Sequence, residues 1–98
     1  MSTEPHSDSV RRLRCAAGHL NAVIEMAESG EPCEQVLYQL HAVQAALRTA
    51  GVKIIECQAR SSQGVILNST SVIQRTSELR HLQFLYEIFI KQYSKERG

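Results

Sequence analysis

Three cysteines, four histidines and a knot of arginines are the residues of this 98-residue chain that could carry chemistry. Cys15, Cys33 and Cys57 are odd in number and widely spaced, and Met1 to Asp8 is polar with no apolar export signal. They therefore read as reduced thiols rather than disulfide partners, with metal binding, redox sensing or plain burial as their options. Cys33 and Cys57 share one register, because Cys33, Val36, Leu40, Val43, Leu47, Ala50, Ile54 and Cys57 recur at steps of three and four. On a straight helix the two thiols lie roughly 36 Å apart, which excludes a bond within one chain. Arg11, Arg12 and Arg14 crowd a turn and a half, with no acidic residue between Asp8 and Glu25, and form a basic patch on a chain of net charge +1. Guanidinium groups that neutralise phosphates gain affinity through counterion release, and symmetric copies of such a patch multiply a weak contact. A solvated helix face carries the same pattern.

Enzyme signatures are missing. The sequence has no phosphate loop, no His-Glu-x-x-His and no base spaced to serve a nucleophile. His19, His41 and His81 fit packed, interface or surface positions, and Glu25, Glu28 and Glu34 fit solvated charges near helix ends. Tyr86 and Tyr93, one helical spacing apart, suit a core or interface.

The elements that position these groups are helices, since no alternating β-branched run is bounded by turn residues. Val10, Leu13, Ala17, Leu20, Ile24 and Ala27 predict the apolar stripe of a first helix, capped by Ser7 or Asp8 and stopped at Ser29-Gly30. Pro32, in the first turn, opens a long second helix that reaches about Arg60. Gly51 costs it on the order of 1 kcal/mol, which predicts a bend or a close helix contact rather than a break. Ser61 to Gly64 reads as a turn, Val65 to Leu67 as a short apolar stretch, and Asn68 to Ser71 as a connection. Ser71 and Gln74 are spaced as a capping box for the third helix, which is apolar on more than one side.

The chain thus reads as one all-α domain over 1–98, with 1–8 a flexible tail. It is small for a self-sufficient core, so its second helix calls for another helix, most simply from a second copy. The third helix, too apolar for one stripe, suggests assembly beyond a dimer. The apolar runs are only a few residues long, so no membrane span and a cytoplasmic location are expected.

Arg-Leu-Arg-Cys-Ala-Ala-Gly-His-Leu-Asn-Ala-Val-Ile-Glu-Met, Arg12 to Met26, resembles the first helix of the CsoR/RcnR family of bacterial metal-sensing repressors. Cys33-Glu-Gln-Val-Leu-Tyr-Gln-Leu-His-Ala-Val-Gln-Ala-Ala-Leu47 resembles its second. The resemblance implies a three-helix protomer, an antiparallel dimer with a four-helix core, and a dimer of dimers. It also implies binding to double-stranded operator DNA without a helix-turn-helix, and release by an effector. Arg12 and Arg14 match DNA-contact positions and Gln39 matches a second-helix glutamine. The family's second-helix arginine falls on Thr49, beside Arg48. The expected DNA-binding set is Arg11, Arg12, Arg14, Gln39 and Arg48.

The effector site departs from the family pattern. The copper-sensing branch pairs its leading cysteine, here Cys33, with a late histidine and cysteine of the partner chain, and at that spacing this sequence has Gln58 and Ser62. An amide and a hydroxyl are poor ligands for soft Cu(I), so the usual three-ligand copper site is not expected. The nickel and cobalt branch needs histidines that, apart from His6, are absent. In an antiparallel pair Cys33 approaches the partner's Cys57, where two thiols could bind a soft metal, form a disulfide or pass a persulfide. Cys33, Cys57, Gln58 and His41 are the effector candidates. A thiol-reactive or formaldehyde-type signal at Cys33, a one- or two-cysteine metal site, a member without effector response, and a scaffold bundle that ignores DNA all stay open here.

Overall fold

A computed structural model describes residues 6–91, with side chains through Phe89. Three helices follow one another: α1 (Ser7–Glu28), α2 (Cys33–Asn68) and α3 (Val72–Tyr86), the last running into a π-helical turn over Glu87–Lys91. The described residues contain no strand. They fall into two compact units, one up to Lys53 and the other from Ile54, with the boundary within α2.

In the first unit α1 starts earlier than its apolar stripe suggests. His6 is the N-cap and makes no side-chain capping bond, while its carbonyl accepts from the Val10 amide at 2.8 Å. Ser7 and Asp8, read as caps within a flexible tail, are already helical, and residues 1–5 lie outside the described residues. The expected stop holds in detail. Gly30 takes φ +74°, its N–H donates to the Ala27 carbonyl at 3.2 Å, and Glu31 N–H donates to the Met26 carbonyl at 3.0 Å. This is a Schellman closure, and it satisfies carbonyls that the helix end would otherwise orphan. Pro32 sits just ahead of α2 rather than inside its first turn, and its carbonyl accepts from the Gln35 and Val36 amides.

The expected stripe of α1 is corrected by the structure. Val10, Leu13, Leu20 and Ile24 are exposed, whereas Ser9, Ala16 and Val23, every seventh residue, are buried. The reason is steric: one neighbouring helix covers only a narrow line, and small side chains let backbones approach along it. On α2, Val43 (2% exposed) and Ala50 (0%) are buried within the protomer, while Leu47 and Ile54 stay exposed. The seam expected to face another chain is therefore already partly used.

In the second unit α2 does not stop near Arg60. It continues through Ser61, Ser62, Gln63 and Gly64, and takes in Val65 to Leu67 as its last turn. Ser62, expected in a turn, is fully buried and bonded to α3, which offsets the low helix propensity of the Ser-Ser-Gln-Gly stretch. Ser71 caps α3 as expected, its Oγ accepting from the Gln74 N–H at 3.2 Å. The other half of the box is rerouted. The Ser71 N–H donates to Ser69 Oγ at 3.1 Å, and that hydroxyl donates to Gln74 Oε1 at 2.7 Å. No residue of α3 is buried, and Ile73 is 84% exposed. No helix of the described residues is long and apolar enough to cross a membrane.

Two glycine substitutions should have opposite signs. Gly30→Ala places a Cβ at φ +74° and should cost roughly 1–2 kcal/mol. Gly18→Ala, where an added Cβ meets open space inside α1, should gain up to about 1 kcal/mol. Thermal melts at one fixed protein concentration check this; a Gly30→Ala midpoint at or above the Gly18→Ala midpoint contradicts it.

Candidate functional site

The first unit carries the arginines. Arg11, Arg12 and Arg14 lie on α1, and the Asp8 carboxylate one turn earlier holds two of them. Its Oδ1 accepts from Arg11 Nη2 at 2.7 Å and its Oδ2 from Arg12 Nε at 2.9 Å. Those bonds, Arg12 first and then Arg11, hold the Asp8 carboxyl below its ordinary pKa of 3.8. Both pairs are solvent-exposed, so they add little to the stability of the fold. Because Arg12 spends Nε on Asp8, both its Nη groups remain for an anion.

Two concavities meet at this cluster. One of about 660 Å³ is lined by His6, Ser7, Val10, Arg11, Arg14 and Cys15. The other, about 320 Å³, lies between Arg11, Arg12 and Cys15 of α1 and Ala45, Ala46 and Thr49 of α2. Cys15 borders both and is exposed. The structure thus brings Arg11 and Arg12 beside Ala45, Ala46 and Thr49 of α2, while Arg14 lines the other concavity and Arg48 lines neither. Thr49, which stands where the family resemblance places an arginine, turns its hydroxyl back on the Ala45 carbonyl at 3.1 Å. Further along α1, His19 Nε2 meets Gln39 Oε1 at 2.8 Å and ties the two helices together. With Oε1 as the acceptor, the imidazole donates from Nε2 and the Gln39 amide hydrogens point elsewhere. By residue count, this antiparallel register sets Ala16 within one residue of the level of Val43 and Ser9 within one residue of the level of Ala50. The buried small residues of α1 thus lie opposite the buried residues of α2.

The effector candidates Cys33, Cys57, Gln58 and His41 are not among the residues that line these concavities. Cys33 is the first residue of α2 and exposed, His41 is exposed on the same helix, and Cys57 belongs to the second unit and is half-buried. Among the described residues no three His, Cys, Asp or Glu side chains gather as a metal site within one chain.

Gln58 is engaged elsewhere. Its Nε2 donates to Ser62 Oγ at 3.1 Å and, at 3.5 Å, to Glu78 Oε1 of α3. Ser62 Oγ donates to the same carboxylate oxygen at 2.6 Å. The two positions that family resemblance assigns to copper ligands are therefore closed into a hydrogen-bonded triangle. The amide turns its N–H donors into the triangle, its oxygen is a hard ligand, and the hydroxyl proton is committed to Glu78. These residues do not fit a soft cuprous ion. Sequence reasoning missed Glu78. Its signal was that Gln58 and Ser62 form an i, i+4 polar pair on one helix face, and Glu78 is the lone carboxylate in α3.

A family profile described as metal-sensitive transcriptional repressor matches residues 6–83. Over 48 residues the chain is 42% identical to the copper-sensing transcriptional repressor CsoR of Mycobacterium ulcerans (strain Agy99), a stretch that covers 49% of this chain and 41% of that protein. The match thus spans less than half of that relative's length. No solved structure is a significant match to the chain. With most of its residues inside the profile, the chain belongs to the metal-sensitive transcriptional repressor family.

Proposed function

We propose that the chain is the subunit of a cytoplasmic, homo-oligomeric transcriptional repressor, a single domain that grips duplex operator DNA through Arg11, Arg12 and Arg14, with Gln39 and Arg48 contributing from α2. The observation that carries this reading is the exposed arginine cluster beside the Ala45–Thr49 face in a chain of the repressor family. Its physics is that of phosphate neutralisation, which supplies affinity without a base-reading helix. The exposed apolar residues of α3 and of the α1 stripe support assembly with further copies, and each copy adds another arginine cluster to the same duplex.

Release, on this reading, starts at Cys33. The thiol is exposed at the start of α2, where a thiol-reactive species can reach it. In an antiparallel pair the partner's Cys57 comes within range of it, and the two sulfurs become a cross-subunit acceptor for that signal. His41, exposed on the same helix, offers a nitrogen donor. Copper, the signal of the copper-sensing relative, does not carry over, because Gln58 and Ser62 are bonded to Glu78.

A labelled duplex from upstream DNA, titrated by fluorescence anisotropy at several salt concentrations, tests the grip. Removing one phosphate-neutralising side chain lowers the log–log salt slope by about 0.9, so Arg12→Ala and Arg14→Ala should each weaken binding and flatten the slope. A homo-oligomer that shows no salt-sensitive retention on duplex DNA is a scaffold, and the proposal fails.

Asp8 gives a separate prediction. Its depressed pKa means that the ion pairs are fully formed above 3.8 and are lost as pH falls through the lower value of the folded state. In a carbon-detected NMR titration the Asp8 carboxyl should titrate below 3.8 and return towards 3.8 when Arg11 and Arg12 are both alanine. At neutral pH, Asp8→Asn should tighten DNA binding by removing a carboxylate that competes with phosphate. Weakened binding in that variant would show that Asp8 serves the arginines rather than competing for them.

A further inference from the structure

Ser62 is the place in the second unit where burial and polarity conflict most sharply. It is 0% exposed, and a buried hydroxyl needs both a donor and an acceptor partner. It has both. It accepts from Gln58 Nε2 at 3.1 Å and donates to Glu78 Oε1 at 2.6 Å, and Gln58 reaches the same carboxylate oxygen. A hydroxyl-to-carboxylate bond of that length belongs to the strong, charge-assisted class. No buried side-chain N or O atom is left unpartnered among the described residues.

Two of the three members lie four residues apart on one face of α2, and the third is on α3, so the triangle fastens one helix to the other. Cys57 cannot take over from Gln58. Adjacent residues on a helix point about 100° apart, so Cys57 is not on the helix face that Gln58 and Ser62 share.

Resting on the repressor reading, we propose that Gln58, Ser62 and Glu78 form a built-in latch between α2 and α3 that stands in the place of a metal ligand set. The latch closes the α2–α3 junction without an effector. The junction is then insensitive to copper, and the effector signal enters at Cys33.

Two measurements on the full-length oligomer test this without using DNA. In the first, the protein is titrated anaerobically with Cu(I) against a chromogenic cuprous chelator. The wild type should take no stoichiometric copper from the chelator. The double variant Gln58→His with Ser62→Cys should gain at least a thousand-fold in affinity, and lose that gain when Cys33→Ala is added. Capture of one copper per protomer by the wild type, or no gain in the double variant, overturns the proposal.

The second is hydrogen exchange. Ser62→Ala should speed exchange of α3 amides tenfold or more and leave α1 amides unchanged. Glu78→Gln, which keeps an acceptor oxygen, should fall between Ser62→Ala and the wild type. Unchanged or uniformly faster exchange in both variants contradicts a latch. DNA binding measured on the same samples separates the two ideas, since its absence with an intact latch counts against the repressor reading alone.

Discussion

Gly30 at φ +74° lets the chain leave α1 through a Schellman closure and enter α2 within a few residues, and the whole arginine face depends on that reversal. A short return forces α2 to run back alongside α1. The His19–Gln39 bond fixes the level at which the helices meet, and the small buried residues Ser9 and Ala16 let them lie close. Only in that register do Arg11 and Arg12 share a concavity with Ala45, Ala46 and Thr49. A basic patch that looks merely solvated on an isolated helix thereby becomes one wall of a two-helix surface.

Legibility in the sequence followed how local each determinant is. Caps and stops that involve a few neighbouring residues were readable: Ser29-Gly30 ends α1, and Ser71 caps α3 through the Gln74 amide. Determinants that depend on a distant partner were not. The stripe of α1 misled because period alone names a face without saying how much of it one helix can cover, so Ser9 and Ala16 are buried while Leu13 and Ile24 are exposed. The end of α2 misled for a similar reason. Ser-Ser-Gln-Gly has turn composition, and what keeps it helical includes a carboxylate sixteen residues beyond Ser62. The π-helical turn after α3 has no composition signal that we can identify.

The candidate site divides in the same way. Residue type and spacing located the arginines and the exposed Cys33, and family resemblance directed attention to positions 58 and 62. That those positions lack copper ligands was readable from their side chains. What occupies them instead was not, because Glu78 belongs to another helix. Its bonds turn a missing site into a present structure: hydrogen bonds to one carboxylate do the fastening for which a metal ion would need imidazole and thiolate. Membership in a family of metal-sensitive repressors and a latch without metal are compatible, since the arginine face and the latch use different residues of different units.

An arginine face proposed to hold DNA and a Gln58–Ser62–Glu78 junction proposed to ignore copper meet in one experiment. It is a DNA-binding isotherm at one salt concentration, recorded anaerobically with and without one equivalent of Cu(I) per protomer. The two curves should superimpose. Release of the duplex by stoichiometric copper would refute the copper-insensitive junction.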